Sequence, residues 1–103
     1  MSNFNIENKR DTVEIVFSEN LVSVVVEELR GALKKILSES ISTLIMDFQS
    51  IELIDSMGIG LLVSTHNTLS SRESELIITN LSSDLLELFT VMRLNEFFTI
   101  TGE

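Results

Sequence analysis

With 103 residues, 44% of them apolar, the chain is long enough for one domain and one packed core, and too apolar to read as disordered. The absence of cysteine removes disulfide frameworks, thiol catalysis and thiolate metal sites together. A net charge of -9, with seven scattered basic residues of which only Lys9-Arg10 and Lys34-Lys35 are adjacent, excludes a nucleic-acid face, which needs clustered Lys and Arg.

The acidity suits a partner with a basic patch, whose encounter it would speed, and it serves solubility equally well. No stretch approaches the roughly 18 uninterrupted apolar residues of a membrane span. The start at Met1-Ser2-Asn3 has no basic-then-apolar leader, so a cytoplasmic chain without membrane insertion is expected.

In chain order, residues 4–6 suggest a short edge strand. Thr12-Val13-Glu14-Ile15-Val16-Phe17 alternates, with Val13, Ile15 and Phe17 on one face. Ser18-Glu19-Asn20 is a polar break with N-capping chemistry. A helix is then predicted over 21–37, with Val22, Val26, Leu29, Leu33 and Ile36 as its apolar stripe. The β-branched run Val24-Val25-Val26 lowers helix propensity there, but the periodicity outweighs it.

After Ser38-Glu39-Ser40, a buried strand is predicted over 43–48 and a helix over 56–71. Gly58, Leu61, Leu62, Thr65 and Leu69 follow helical spacing and form one buried stripe. Asp55, just before them, is a preferred N-cap residue. A second buried strand follows at 76–79, with Asn80 and Ser82-Ser83-Asp84 as turn and cap residues. Leu85, Leu88, Phe89 and Met92 predict a third helix, and residues 96–100 a last strand. Apolar runs separated by helices argue for parallel β-α-β units in a single α/β domain over 1–103.

Gly58 and Gly60 fall within the first turns of the second helix, where each costs roughly 1 kcal/mol relative to alanine. Close helix-to-sheet packing accounts for Gly58. Packing, or a flat surface that admits a partner's backbone, accounts for Gly60.

Most site chemistries fail on this pattern. Gly58-Ile59-Gly60 lacks the third glycine of a dinucleotide fingerprint and the lysine of a P-loop. The single histidine, His66, lies ten residues past Ser56 on one helix, about 15 Å away, too far to activate it as a nucleophile. A phosphoacceptor receiver domain would want a second acidic cluster after the alternating strand and a lysine after the last one. Asp47, Glu52 and Asp55 have the chemistry for a magnesium ion, but a solvated acidic rim explains them better. On spacing alone, Asp55-Ser56 is an N-cap pair.

Asp55-Ser56-Met57-Gly58-Ile59-Gly60-Leu61-Leu62, preceded by Leu44-Ile45-Met46-Asp47-Phe48, resembles the signature of STAS domains. More closely, it looks like the small stand-alone anti-sigma-factor antagonists of bacteria. A weaker echo runs from Leu85 to Leu94. The resemblance implies a STAS fold, a mixed sheet of four to five strands with helices packed on it. It implies a protein-binding module with no catalytic residue, cofactor or metal. The serine after the motif aspartate, Ser56 here, would be phosphorylated by an anti-sigma factor with serine kinase activity. A phosphoserine phosphatase would reverse that step, and the unphosphorylated form would bind the anti-sigma factor and release a sigma factor. Asp47, Asp55, Met57, Gly58, Ile59 and Gly60 are the expected partner-binding residues, in a monomer or weak dimer. The alternative is a STAS scaffold subunit of another assembly, a lipid-transport or stress-sensing complex.

Three positions depart from the family pattern. Val22 stands where an aspartate often follows a glycine, Met57 where a small residue is common, and Arg93 where a glycine frequently precedes the leucine.

Overall fold

The computed structural model describes residues 3–101. Met1 and Ser2, on which the absence of a leader is read, lie outside them. Strands β1 (Phe4–Lys9) and β2 (Thr12–Phe17) form an antiparallel hairpin that turns at Arg10, whose φ of 61° is left-handed. Helix α1 (Ser23–Ile36), β3 (Thr43–Asp47), α2 (Ser56–Ser70), β4 (Glu75–Thr79), α3 (Ser83–Val91) and β5 (Thr99–Ile100) follow. β2, β3, β4 and β5 pair in parallel in the order of the chain, giving a mixed sheet β1-β2-β3-β4-β5.

That sequential order decides where the core lies. Right-handed crossovers that always step the same way put α1 and α2 on the same face of the sheet. There Val13, Ile15, Phe17, Leu44, Met46, Leu76 and Ile78 are buried against them. The opposite face carries Ile45 and Ile77 in register, with Val16 opposite Asp47, and all three are only half-buried. The apolar runs at β3 and β4 therefore belong to strands buried on one face, not on both.

The α2 stripe is buried as its spacing predicts: Gly58, Leu61, Leu62, Thr65 and Leu69. In α1 the helix begins at Ser23, so Val22 is a half-buried N-cap and Val25 takes its place among the buried residues. Leu21, expected inside the helix, is buried in an isolated parallel bridge with Ile54.

The C-terminal third departs most from expectation. Only Leu85 and Phe89 of α3 are buried, while Leu88 and Met92 are exposed, because α3 ends after nine residues and lies at the margin of the layer. The last strand shrinks to Thr99–Ile100. A 3-10 turn at Leu94–Glu96 takes up the chain before it, and Phe97 is exposed. Phe98 is buried there, edge-on to Phe89, and the edge-to-face contacts continue from Phe89 to Phe48, Phe17 and Phe4. No helix among the described residues is long and apolar enough to cross a membrane.

Candidate functional site

Two connections at the carboxyl ends of β2 and β3 meet beneath the start of α2. Backbone amides of both are bonded by the side chains of Asp47, Asn20 and Asp55. Leaving β3, Asp47 accepts at Oδ1 from its own turn, the Gln49 amide at 2.9 Å, and from Asn80 Nδ2 at 3.0 Å. An aspartate bonding the amide two residues on is a local turn. Phe48 then dives into the core between Phe17 and Phe89, with ring centroids 5.6 and 6.4 Å away, and Ile51 is buried after it. These anchors leave Glu52 and Leu53 at the surface.

Asn20, in the β2–α1 connection, reaches across to this loop. Its Oδ1 accepts from the Glu52 and Leu53 amides at 2.8 and 3.0 Å. Alongside, the Leu21 amide donates to the Leu53 carbonyl and the Asp55 amide to the Leu21 carbonyl, at 3.2 and 3.3 Å. The polar break therefore caps no helix. Its asparagine clamps one connection to the other.

Asp55 completes the junction. Its backbone is extended, with φ -98° and ψ -179°, and its Oδ1 accepts from the Gly58 amide at 2.9 Å as the N-cap of α2. Its Oδ2 accepts from the Ser23 amide, also at 2.9 Å. Ser23 is the first residue of α1, whose own N-cap, Val22, offers no side-chain acceptor. Helix starts leave amides without intrahelical partners, and a carboxylate there also meets the positive end of the helix dipole. One carboxylate thus serves two helices.

Gly58 is buried at this junction, and a Cβ there would stand 2.5 Å from the Leu21 carbonyl oxygen and 2.7 Å from Ile54 Cγ1. The glycine is required by the bridged connections and not, as expected, by helix-to-sheet packing. Gly60 is exposed, with nothing within 4 Å of a Cβ.

Ser56, the first residue of α2, is exposed, and Met57 beside it is 40% exposed. Ile59 is half-buried and packs on the core. Of the residues expected to form the site, Asp55, Ser56, Met57, Gly58, Ile59 and Gly60 are brought together in the first turns of α2. Asp47 stands apart at the sheet end, bonded to its own turn and to Asn80. His66 is farther along α2, with its ring 5.9 and 6.0 Å from those of Phe97 and Phe98. Among the described residues no three histidine, aspartate or glutamate side chains are grouped to hold a metal ion. A surface pocket of about 370 Å³, lined by Leu81, Leu86, Thr90 and Ile100, lies away from this junction.

Sequence reasoning missed Asn20 as the clamp, Ser23 as the second amide on Asp55, and Leu53 as an exposed apolar residue of the loop. A polar residue between two apolar segments was the available signal for Asn20. The link from Asp55 to Ser23, 32 residues away, leaves no trace in local spacing.

The family model of the STAS domain matches residues 3–102. No curated protein matches the sequence significantly. Among solved structures, the chain superposes on the anti-sigma factor antagonist SpoIIAA in its unphosphorylated form with a TM-score of 0.79 and 23% identity, covering 95% of this chain and 86% of that one. For the phosphorylated form of SpoIIAA, from Bacillus, the values are 0.78 and 24%, covering 97% and 92%. A putative anti-sigma factor antagonist of Thermotoga maritima gives 0.87 at 15% identity, covering 94% and 84%. A sulfate transporter family protein of Wolinella succinogenes gives 0.80 at 15%, covering 92% and 80%. These likenesses match the five-stranded mixed sheet and its helices, and with the family match over almost the whole length they place the chain in the STAS domain family.

Proposed function

We propose that this protein is an anti-sigma factor antagonist switched at Ser56. Unphosphorylated, it binds an anti-sigma factor with serine kinase activity and releases a sigma factor. The kinase ends that binding by phosphorylating Ser56, and a phosphoserine phosphatase restores it. The chain is a substrate and a binding module, with no catalysis of its own and a cytoplasmic setting.

The observation that carries this reading is the exposed Ser56 hydroxyl at the first position of a helix whose start is held rigidly by Asp55. Phosphorylation would add about -1.5 to -2 charges at neutral pH. The helix dipole tolerates an anion at this end, so the fold stays intact. The Gly58 and Ser23 amides already belong to Asp55, which turns the phosphate outward instead of into the junction. A partner shaped for a hydroxyl would meet bulk, desolvation and repulsion. A loss of about 3 kcal/mol would weaken binding roughly a hundredfold. The neighbour SpoIIAA, known in both phosphorylated and unphosphorylated forms, supports the same reading by analogy of fold.

Met57, Gly60, Asp55 and Ile59 would form the docking surface with Ser56. Gly58 acts beneath it by letting the two connections close, and Asp47 would contribute at the rim. The likeness to a sulfate transporter family protein favours one rival, a STAS scaffold in another assembly. The test is a titration of purified anti-sigma factor with kinase and ATP present. Ser56→Ala should keep its affinity and Ser56→Asp should lose it; equal affinities rule out the switch.

A further inference from the structure

The exposed large apolar side chains fall into two groups. One belongs to α3 and the turn after it. The other is Val24, 68% exposed, Leu53, 64% exposed, and Met57, 40% exposed. These three come from different segments, yet each lies within two residues of an atom in the Asp55 junction. Val24 follows Ser23, whose amide binds Asp55 Oδ2. Leu53 donates to Asn20 and accepts from Leu21. Met57 precedes Gly58, whose amide binds Asp55 Oδ1. Val24 and Met57 occupy the same second position of their respective helices.

We infer that Val24, Leu53 and Met57 form one apolar contact patch around Ser56, and that the partner covering Ser56 meets it with an apolar surface bordered by basic groups. The inference rests on the function proposed above and deepens it by assigning the α1 start and the β3–α2 loop to the interface. Exposed apolar side chains gathered into one patch and rimmed by polar residues mark a protein-binding surface. The groups beside them, Glu52 and Glu27, are exposed carboxylates in a chain of net charge -9, which selects a basic border on the partner. The patch also explains how one phosphate suffices. A dianion set among three apolar contacts must lose its water as the partner closes, whereas at a wet rim it would keep it.

The experiment titrates the purified anti-sigma factor kinase into the full chain by calorimetry, without ATP. Val24→Ser and Leu53→Ser remove apolar surface without changing charge, at exposed positions outside the junction's hydrogen-bonding side chains. Together they should weaken binding tenfold or more, while Leu53→Met stays within about threefold of the wild type. Val91→Ser, at the 75% exposed position on α3, should leave affinity unchanged. If the double variant binds like the wild type while Ser56→Asp does not, the patch is overturned and the switch survives. If Ser56→Asp also binds like the wild type, both fall. If Val91→Ser weakens binding as much as the double variant, the interface lies on α3 and the patch is again overturned.

Discussion

Gly58 and Gly60 are separated by one residue and answer opposite demands. At Gly58 a methyl group would press on a backbone carbonyl that is itself bonded to the Asp55 amide, so neither can give way cheaply. Gly58→Ala should destabilise the protein by about 1 to 3 kcal/mol despite alanine's better helix propensity. Gly60→Ala enters open space and should stabilise it by up to about 1 kcal/mol. Midpoints of urea unfolding at constant slope check both. Arg93 is the converse case. It has φ 60° directly after the α3 cap residue Met92, the position where helices commonly end in a left-handed glycine. This accounts physically for the glycine often found there in the family, and makes Arg93 a strained replacement. Arg93→Gly should raise the unfolding midpoint, worth about 1 kcal/mol, and an unchanged or lower midpoint would contradict this.

Between elements, Asp55 adds to the packing of α1 against α2 a hydrogen bond to the start of each helix. Asp55→Ala leaves amides at two helix starts without an acceptor, and should cost about 1 to 3 kcal/mol. Amide exchange should show the effect jointly, with faster exchange at both Ser23 and Gly58. Loss of protection at Gly58 alone would mean that the second bond is dispensable. This is also the scale at which legibility in the sequence ran out. The α2 stripe from Gly58 to Leu69 is readable because helical spacing repeats along most of a fifteen-residue helix. The serine's position was readable because an N-cap signal preceded it. The Leu21–Ile54 bridge and the Asn20 clamp are long-range pairings, which spacing does not encode. Leu88 and Met92 continue the helical stripe yet stay exposed, because at the sheet margin the core is narrower than the stripe.

Over the whole molecule, the order β1-β2-β3-β4-β5 stacks α1 and α2 on one face and collects the ends of β2 and β3 under one surface. The fold class was legible because apolar runs alternate with helical stripes. That one face of the parallel strands stays open follows from the strand order, which composition and periodicity do not specify. Asn20 and Asp55 tie these connections and the starts of α1 and α2 together, and leave Leu53, Ser56 and Met57 exposed beside them. Adding charge there should change what binds without changing what is folded. The most direct measurement is the affinity of the anti-sigma factor kinase for the purified chain before and after stoichiometric phosphorylation of Ser56, with unfolding midpoints recorded for both. The account predicts binding weakened about a hundredfold or more with the midpoint nearly unmoved. Equal affinity for the two forms, or a loss of binding that merely tracks unfolding, would contradict it.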